Sequence, residues 1–257
     1  MGYEHITTER EGSYTTITMN RPERRNALSL AHMRELITAF RDAGDSDARG
    51  IILAANGPVF SAGHDFADMS GASLPEMRRL LQTCTELMTL MQQAPQVVIA
   101  RVHGLATAAG CQLVASADLA VCSENASFAV PGGKGGLYCH TPVVALSRNV
   151  GRKRALEMSL TGDPIDAATA LDWGLVNRVV PLEELEAATL DLLARATRGS
   201  ALSKSLGKAS FYAQIDMDQP KAYAYAVEMM ASASQTADGQ EGMNSFLEKR
   251  PAAWKER

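Results

Sequence analysis

The chain has 257 residues, 46% of them hydrophobic and 21% charged, an ordinary globular composition with room for one sizeable core and an appendage. A formal net charge of −4 gives no basic field for nucleic acid, so a polyanionic ligand would have to meet local cations. No apolar run approaches the roughly eighteen residues of a membrane span.

Tyr3–Arg10 and Tyr14–Met19 alternate threonine with Ile, Tyr or Met and are expected as two strands joined at Glu11-Gly12-Ser13. Leu30, Met33, Leu36, Ile37 and Phe40 share one helical face, which predicts an amphipathic helix over Leu30–Asp42. Gly50–Ala54 is a short apolar run, expected as a buried strand. Ser73 and Glu76 form a capping-box pattern with Pro75 in the first turn, opening a helix whose apolar stripe runs from Leu74 to Met91 and ends before Pro95. Val97–Ala100 reads as a strand, Ala108–Ala115 as a short helix and Leu119–Cys122 as another strand. Strand, glycine-containing turn and helix recur at irregular spacing, which is α/β layering and not a tight repeat.

Beyond Pro181 the chain reads as helical, punctuated by Pro220, by a capping pattern at Asp238-Gly239-Gln240-Glu241 and by Pro251. Tyr223, Ala226, Val227 and Met230 share a helix face. A soft boundary near Gly199–Ser200 divides a core, 1–199, from a helical region, 200–257, that covers the core or packs on another subunit.

Met1–Ile6 carries no signal pattern, and Ile6 stands where myristoylation of Gly2 would want Ser or Thr. Cys84, Cys111, Cys122 and Cys139 lack metal-type pairing. Three of them sit among apolar or small residues, which predicts reduced, mostly buried thiols in a cytoplasmic protein. His5, His32 and His103 show no metal spacing and read as structural or surface groups.

Two loops have the form that thioester chemistry needs. An oxyanion developing at a thioester carbonyl is held by two preorganised N–H donors, which backbone amides at a turn entering a helix can supply. Phe60-Ser61-Ala62-Gly63-His64-Asp65 follows one buried strand, and Gly104–Gly110 follows the next. Small residues at Ala106, Ala108, Ala109 and Gly110 let a ligand approach the backbone. Either segment alone is as well explained as a glycine- and alanine-rich loop. Neither Gly104–Gly110 nor Gly132-Gly133-Lys134-Gly135-Gly136 has dinucleotide or P-loop spacing.

Asn20–Leu28, Phe60–Asp65, Gly104–Leu113, Ala117-Asp118, Thr161–Ile165 and Ala170–Val180 occur together in an order that resembles the enoyl-CoA hydratase (crotonase) family across nearly the whole chain. The resemblance implies an α/β fold, a crotonase-like spiral of ββα units with a helical C-terminal trimerisation region. It implies an acyl-CoA ligand, no resident cofactor beyond the coenzyme A of the substrate, no metal, and a homotrimer or dimer of trimers. By position, the oxyanion donors would be the N–H groups of His64 and Ala109. Coenzyme A contacts would come from Arg24, Ala27, Ala62, His64, Asp65 and Phe66. Phe246 and Lys249 resemble residues that reach the coenzyme A of a neighbouring subunit, although a solvated helix end explains Lys249 equally well.

The family's two catalytic glutamate positions hold Gln112 and Gly132. Hydration of an enoyl thioester needs a base for water and an acid for the α-carbon; glutamine orients water but takes no proton at neutral pH, and glycine offers nothing. Tyr138 and His140, after Gly132, are candidate proton donors or else packing and rim residues. The adjacent Cys139-His140 pair invites a nucleophile reading, but neighbours in sequence usually point apart. Ala106–Ser116 and Phe128–Gly132 also resemble the enoyl-CoA hydratase domain-containing group, which lacks both glutamates. Ser61–Asp65 is similar to its counterpart in the family's methylmalonyl-CoA decarboxylases, which implies a malonyl-type decarboxylase as an alternative. A non-catalytic acyl-CoA-binding module is the third.

Overall fold

The structure, a computed structural model, describes residues 2–255; Met1, where the signal-pattern reading starts, and the last two residues of the expected helical region lie outside them. In chain order the elements are β1 (Ile6–Glu11), β2 (Tyr14–Met19), α1 (Leu30–Gly44), β3 (Gly50–Ala55), α2 (Leu74–Gln93), β4 (Val97–Val102), β5 (Ala106–Thr107), α3 (Ala109–Ser116), β6 (Leu119–Ser123), β7 (Ser127–Ala129), α4 (His140–Asn149), α5 (Arg152–Thr161), β8 (Ile165–Asp166), α6 (Ala167–Trp173), β9 (Arg178–Val180), α7 (Leu185–Ala196), α8 (Ala201–Gln214), α9 (Gln219–Ser234) and α10 (Ala237–Leu247).

β1, β2, β3, β4, β6 and β9 form one sheet in that order, and β5, β7 and β8 a second. β1 and β2 are an antiparallel hairpin; β2, β3, β4, β6 and β9 run parallel. Parallel strands require crossovers, and α1, α2 and α3 provide them. Ile51, Leu53, Val98, Ala100, Val102 and Cys122 pack from the sheet against Phe40, Leu87 and Met91 of the helices in one continuous core. The near-continuous apolar run of β3 reflects burial on both faces.

β1 starts three residues later than the sequence suggests. The N–H groups of Glu4 and His5 donate to the Glu35 carboxylate at 3.0 and 2.8 Å, so the backbone there pairs with a side chain of α1 before it pairs with β2. The turn is two residues, Gly12-Ser13, with Gly12 at φ 54°. The Ser73–Glu76 capping box is formed, the Glu76 carboxylate accepting the Ser73 N–H at 2.8 Å. α10 is capped by Thr236, whose hydroxyl oxygen accepts the Gly239 N–H at 3.0 Å. Asp238 is instead buried and accepts from the Ser200 hydroxyl, which joins the starts of α8 and α10.

α8 is fastened to the core by a buried ion pair. Lys208 Nζ lies 2.7 Å from Asp118 Oδ2 and donates to the Met91 and Gln96 carbonyls at 2.9 and 2.8 Å. Tyr212 donates to Asp118 Oδ1 at 2.8 Å. Burial pushes the Asp118 carboxyl up and the Lys208 ammonium down, each offset by the other's charge. All four cysteines are free and buried, and burial raises the Cys84, Cys111 and Cys122 thiols to about 12. Among the described residues no helix is long and apolar enough to cross a membrane.

Candidate active site

The loop after β3 and the turn after β4 are laid against each other backbone to backbone. Leu28 bridges His64 and Ser61 bridges Ala106, both in parallel. The Thr107 N–H donates to the Ser61 carbonyl at 2.9 Å, and Leu28 N–H to the Gly63 carbonyl at 2.7 Å. Glycine is what lets them touch. A Cβ on Gly110 would stand 2.4 Å from the Ser61 carbonyl oxygen; one on Gly63, at φ +86°, would stand 2.8 Å from the Ala108 Cβ and 3.2 Å from the Ala109 nitrogen. Asn26, buried at φ 50°, ties the base of the assembly: its amide donates to the carbonyls of Asn56 and Val59 at 2.8 and 3.1 Å, and its own carbonyl accepts from the Ser61 hydroxyl at 2.9 Å.

Ala108 adopts φ 50°, ψ −119° at the start of α3, a backbone that costs a side-chain-bearing residue about 1–3 kcal/mol. Its N–H donates to the Ala129 carbonyl at 2.8 Å, which holds the turn. Ala109 then opens the helix, where the N–H has no intrahelical acceptor and the helix end is partly positive. No described residue accepts from the N–H of Ala109 or of His64. Two unpartnered backbone donors thus stand on abutting loops.

They border a cavity of about 630 Å³, within the range of small-molecule sites. Met69, Met77 and Leu81 give it an apolar wall from the α2 side, and Leu137 and Pro142 one from the opposite side. No Asp or Glu is among the described residues that line it. Thr107, which sequence reasoning missed as a wall residue, carries a buried hydroxyl without a partner there. His64 lines the cavity with both ring nitrogens buried, and neither makes a hydrogen bond of good geometry. Burial lowers its pKa, opposed by the nearby Leu28 carbonyl, so the imidazole is neutral at neutral pH.

The structure gathers Ala62, His64, Phe66, Ala109, Gly132, Tyr138 and His140 around this cavity. Phe66 is 76% exposed, at the mouth. Gln112 lies one turn along α3 from Ala109, buried, and forms no part of the wall; its amide oxygen has no partner. Gly132 lines the cavity, but its loop has closed over it: a Cβ there would meet the Leu137 carbonyl oxygen at 2.1 Å and Cys139 Sγ at 2.7 Å. The Tyr138 hydroxyl donates to Ser159 Oγ at 2.7 Å, and His140 is exposed with its ring against Tyr138 at 5.1 Å. Cys139 Sγ takes the Gly132 N–H at 3.3 Å and the His140 ring packs on Tyr138, so each of the pair has a different neighbour.

Asp65 precedes the short turn 66–68 on the same loop. Its carboxylate lies 3.4 Å from Arg21, and it accepts the Ala67 N–H at 3.1 Å, so both oxygens serve the loop. Arg24 is exposed and Ala27 half-buried on the turn that supports residues 61–64. Phe246 and Lys249 stand exposed at the end of α10, away from this cavity within one chain.

The α/β core thus brings two backbone donors to the edge of a largely apolar cavity. The chain belongs to the enoyl-CoA hydratase/isomerase (crotonase) family, whose model matches residues 9–257. Mouse enoyl-CoA hydratase domain-containing protein 3, mitochondrial, is 46% identical over 252 residues, covering 96% of this chain and 83% of the relative. The crystal structure of human enoyl-CoA hydratase domain-containing protein 3 superposes with a TM-score of 0.94 at 43% identity, covering 98% of this chain and 100% of that one. The enoyl-CoA hydratase of Mycobacterium smegmatis gives a TM-score of 0.94 at 43% identity, covering 98% of this chain and 99% of the other.

The mitochondrial name shared by the mouse, rat, zebrafish and human relatives corrects the cytoplasmic expectation. Free buried thiols report a reducing history and solvent exclusion, not a particular compartment.

Proposed function

We propose that this protein binds acyl-CoA thioesters with the carbonyl oxygen between the N–H groups of His64 and Ala109, which act as an oxyanion hole, and that it does not hydrate enoyl-CoA through paired carboxylates. The observation that carries this reading is the pair of unpartnered donors on abutting loops, at the edge of a cavity whose described wall holds no carboxylate. Coenzyme A is part of the substrate, and no resident cofactor is needed. Arg24, Ala27, Ala62 and Phe66 flank the nucleotide end. Phe246 and Lys249 serve the coenzyme A of a neighbouring subunit in a homotrimer or dimer of trimers.

A second reading, decarboxylation of a malonyl-type thioester, is favoured by the neutral His64 and by the pairing of Lys134, a cavity-wall cation, with Asp163. Loss of carbon dioxide produces the enolate without a base, and a wall with no unpaired ammonium leaves the departing carboxylate poorly stabilised. A pocket that binds but does not turn over is the third reading.

One panel separates them. Butyryl-CoA binding is measured by calorimetry, crotonyl-CoA hydration by loss of conjugated-thioester absorbance, and carbon dioxide release from methylmalonyl-CoA. Binding is expected, with hydration slower than in a paired-carboxylate enzyme by about 10²–10⁴-fold for each missing group. An ordinary hydration rate defeats the carboxylate argument. Carbon dioxide release selects the decarboxylase, and binding alone selects the module. Absence of binding defeats the thioester reading.

A further inference from the structure

We infer that Ser61 is the positioning residue of the donor pair: its hydroxyl and its carbonyl together set the separation between the N–H groups of His64 and Ala109. The inference rests on the thioester reading above and adds to it the side chain that holds the two donors in register. Backbone donors stabilise an oxyanion from about 2.7–3.1 Å, and such a constellation has to be held to within about 0.5 Å. His64 and Ala109 lie on different loops, so one loop has to be fixed against the other.

Ser61 does this with every polar atom it has. The residue is wholly buried. Its hydroxyl donates to the Asn26 carbonyl at 2.9 Å and accepts the Gly63 N–H at 3.3 Å, which ties the turn 21–28 to the residue before His64. Its carbonyl accepts the Thr107 N–H at 2.9 Å, and its own N–H donates to the Leu105 carbonyl at 3.2 Å, so its backbone is bound to the segment that leads to Ala109. Gly110 packs on the same residue: a Cβ there would stand 2.8 Å from Ser61 Cβ. One route between the donors therefore runs from His64 back to Ser61, across the Ser61–Thr107 hydrogen bond, and on through Ala108 to Ala109.

Asn26 gives the Ser61 hydroxyl a fixed point. It too is wholly buried; its side-chain oxygen accepts the Arg21 N–H at 2.9 Å, and its amide donates to the Asn56 and Val59 carbonyls at 2.8 and 3.1 Å. Both ends of that side chain are bonded to backbone, which locks the carbonyl that Ser61 reaches. The Ala62 N–H donates to the Arg25 carbonyl at 3.0 Å and the Leu28 N–H to the Gly63 carbonyl at 2.7 Å, and these bonds hold the loop on the turn whatever stands at 61. The hydroxyl adds the orientation of the Ser61 peptide, whose carbonyl is the strut to Thr107. Without it the loops still touch, but the two N–H groups lose their common focus. That weakens polarisation of the bound carbonyl more than it weakens binding, because the rest of the ligand is held elsewhere in the cavity.

The carbonyl of bound butyryl-CoA reports the donors directly. Isotope-labelled at the thioester carbonyl, it is read by difference infrared spectroscopy, and two N–H donors pull its stretching band to lower frequency. The natural protein is expected to shift the band. Ser61→Ala is expected to lose most of that shift, with butyryl-CoA affinity changed by less than about tenfold. Thr189→Ala is the control: it removes a wholly buried hydroxyl that donates to the Leu185 carbonyl at 2.7 Å within α7, which carries neither donor, and is expected to keep the natural shift. If Ser61→Ala does not fold, Ser61→Cys, with a weaker donor and acceptor at the same place, is expected to give a band between those of the natural complex and the free ligand. A Ser61 variant that binds butyryl-CoA with the full natural shift overturns the inference, as does a Thr189→Ala protein that loses the shift equally. Butyryl-CoA that binds the natural protein with an unshifted band overturns the oxyanion hole, and failure to bind at all overturns the thioester reading; either result removes this inference with it.

Discussion

Gly132 accepts the N–H groups of Gly135 and Leu137 at 3.0 Å each and donates to Cys139 Sγ, so the loop turns tightly about it. A side chain at 132 would run into the Leu137 carbonyl, a backbone atom that cannot swing away as a side chain does. A longer side chain at 132 therefore needs the loop itself to move. Gly132→Ala is expected to cost about 1–3 kcal/mol, the usual penalty of overpacking, read as a lower midpoint in urea at unchanged slope. The double variant Gln112→Glu, Gly132→Glu is expected to stay inactive on crotonyl-CoA; a hydratase rate from it would show that the loop yields easily. That Gly132 carries no functional group is legible in the sequence. That residues 133–139 fill the space is not, because it depends on where a loop with four glycines chooses to fold.

At the scale of elements, α8 depends on one buried charge. Lys208 and Asp118 are 9% and 13% exposed at the side chain, and the lysine also holds the carbonyls that end α2 and open β4. Removing one member leaves the other buried and unpaired, which typically costs about 3–5 kcal/mol. Lys208→Ala is expected to lose stability in that range by denaturant melt, while Lys208→Met with Asp118→Asn recovers part of it; a cost under about 0.5 kcal/mol would show that α8 is held by apolar packing instead. The apolar stripes of α1 and α2, the Ser73 cap and the buried strands β3 and β4 could be read from periodicity. β5, β7 and β8, of two, three and two residues, are too short to carry a period. The Lys208–Asp118 pair spans ninety positions with no local signature. The candidate donors at His64 and Ala109 were legible through the loops that carry them, whereas the strain at Ala108 and the exposed, separate position of Phe246 required coordinates.

For the whole molecule, α8 and α9 hold no fully buried apolar residue in a single chain. On α9, Tyr223, Val227 and Met230 are 66%, 60% and 78% exposed, the same helix face the sequence marks as apolar. Phe211 and Ile215 of the α8 end are half exposed nearby in sequence. A contiguous apolar face of this kind marks an association surface, and the proposed homotrimer supplies one from identical chains. Sedimentation is expected to give three or six times the chain mass of 27.5 kDa. Val227→Asp with Met230→Lys, which puts charges into that face at no cost to a lone chain, is expected to shift the mass toward the monomer. The site then enters the argument. If Phe246 and Lys249 serve a neighbour, the dissociated variant binds butyryl-CoA more weakly than the natural protein, and the loss is recovered as protein concentration drives reassembly. A variant that dissociates yet keeps its affinity at every concentration would leave each cavity complete within its own chain, with α8 and α9 associating for stability alone.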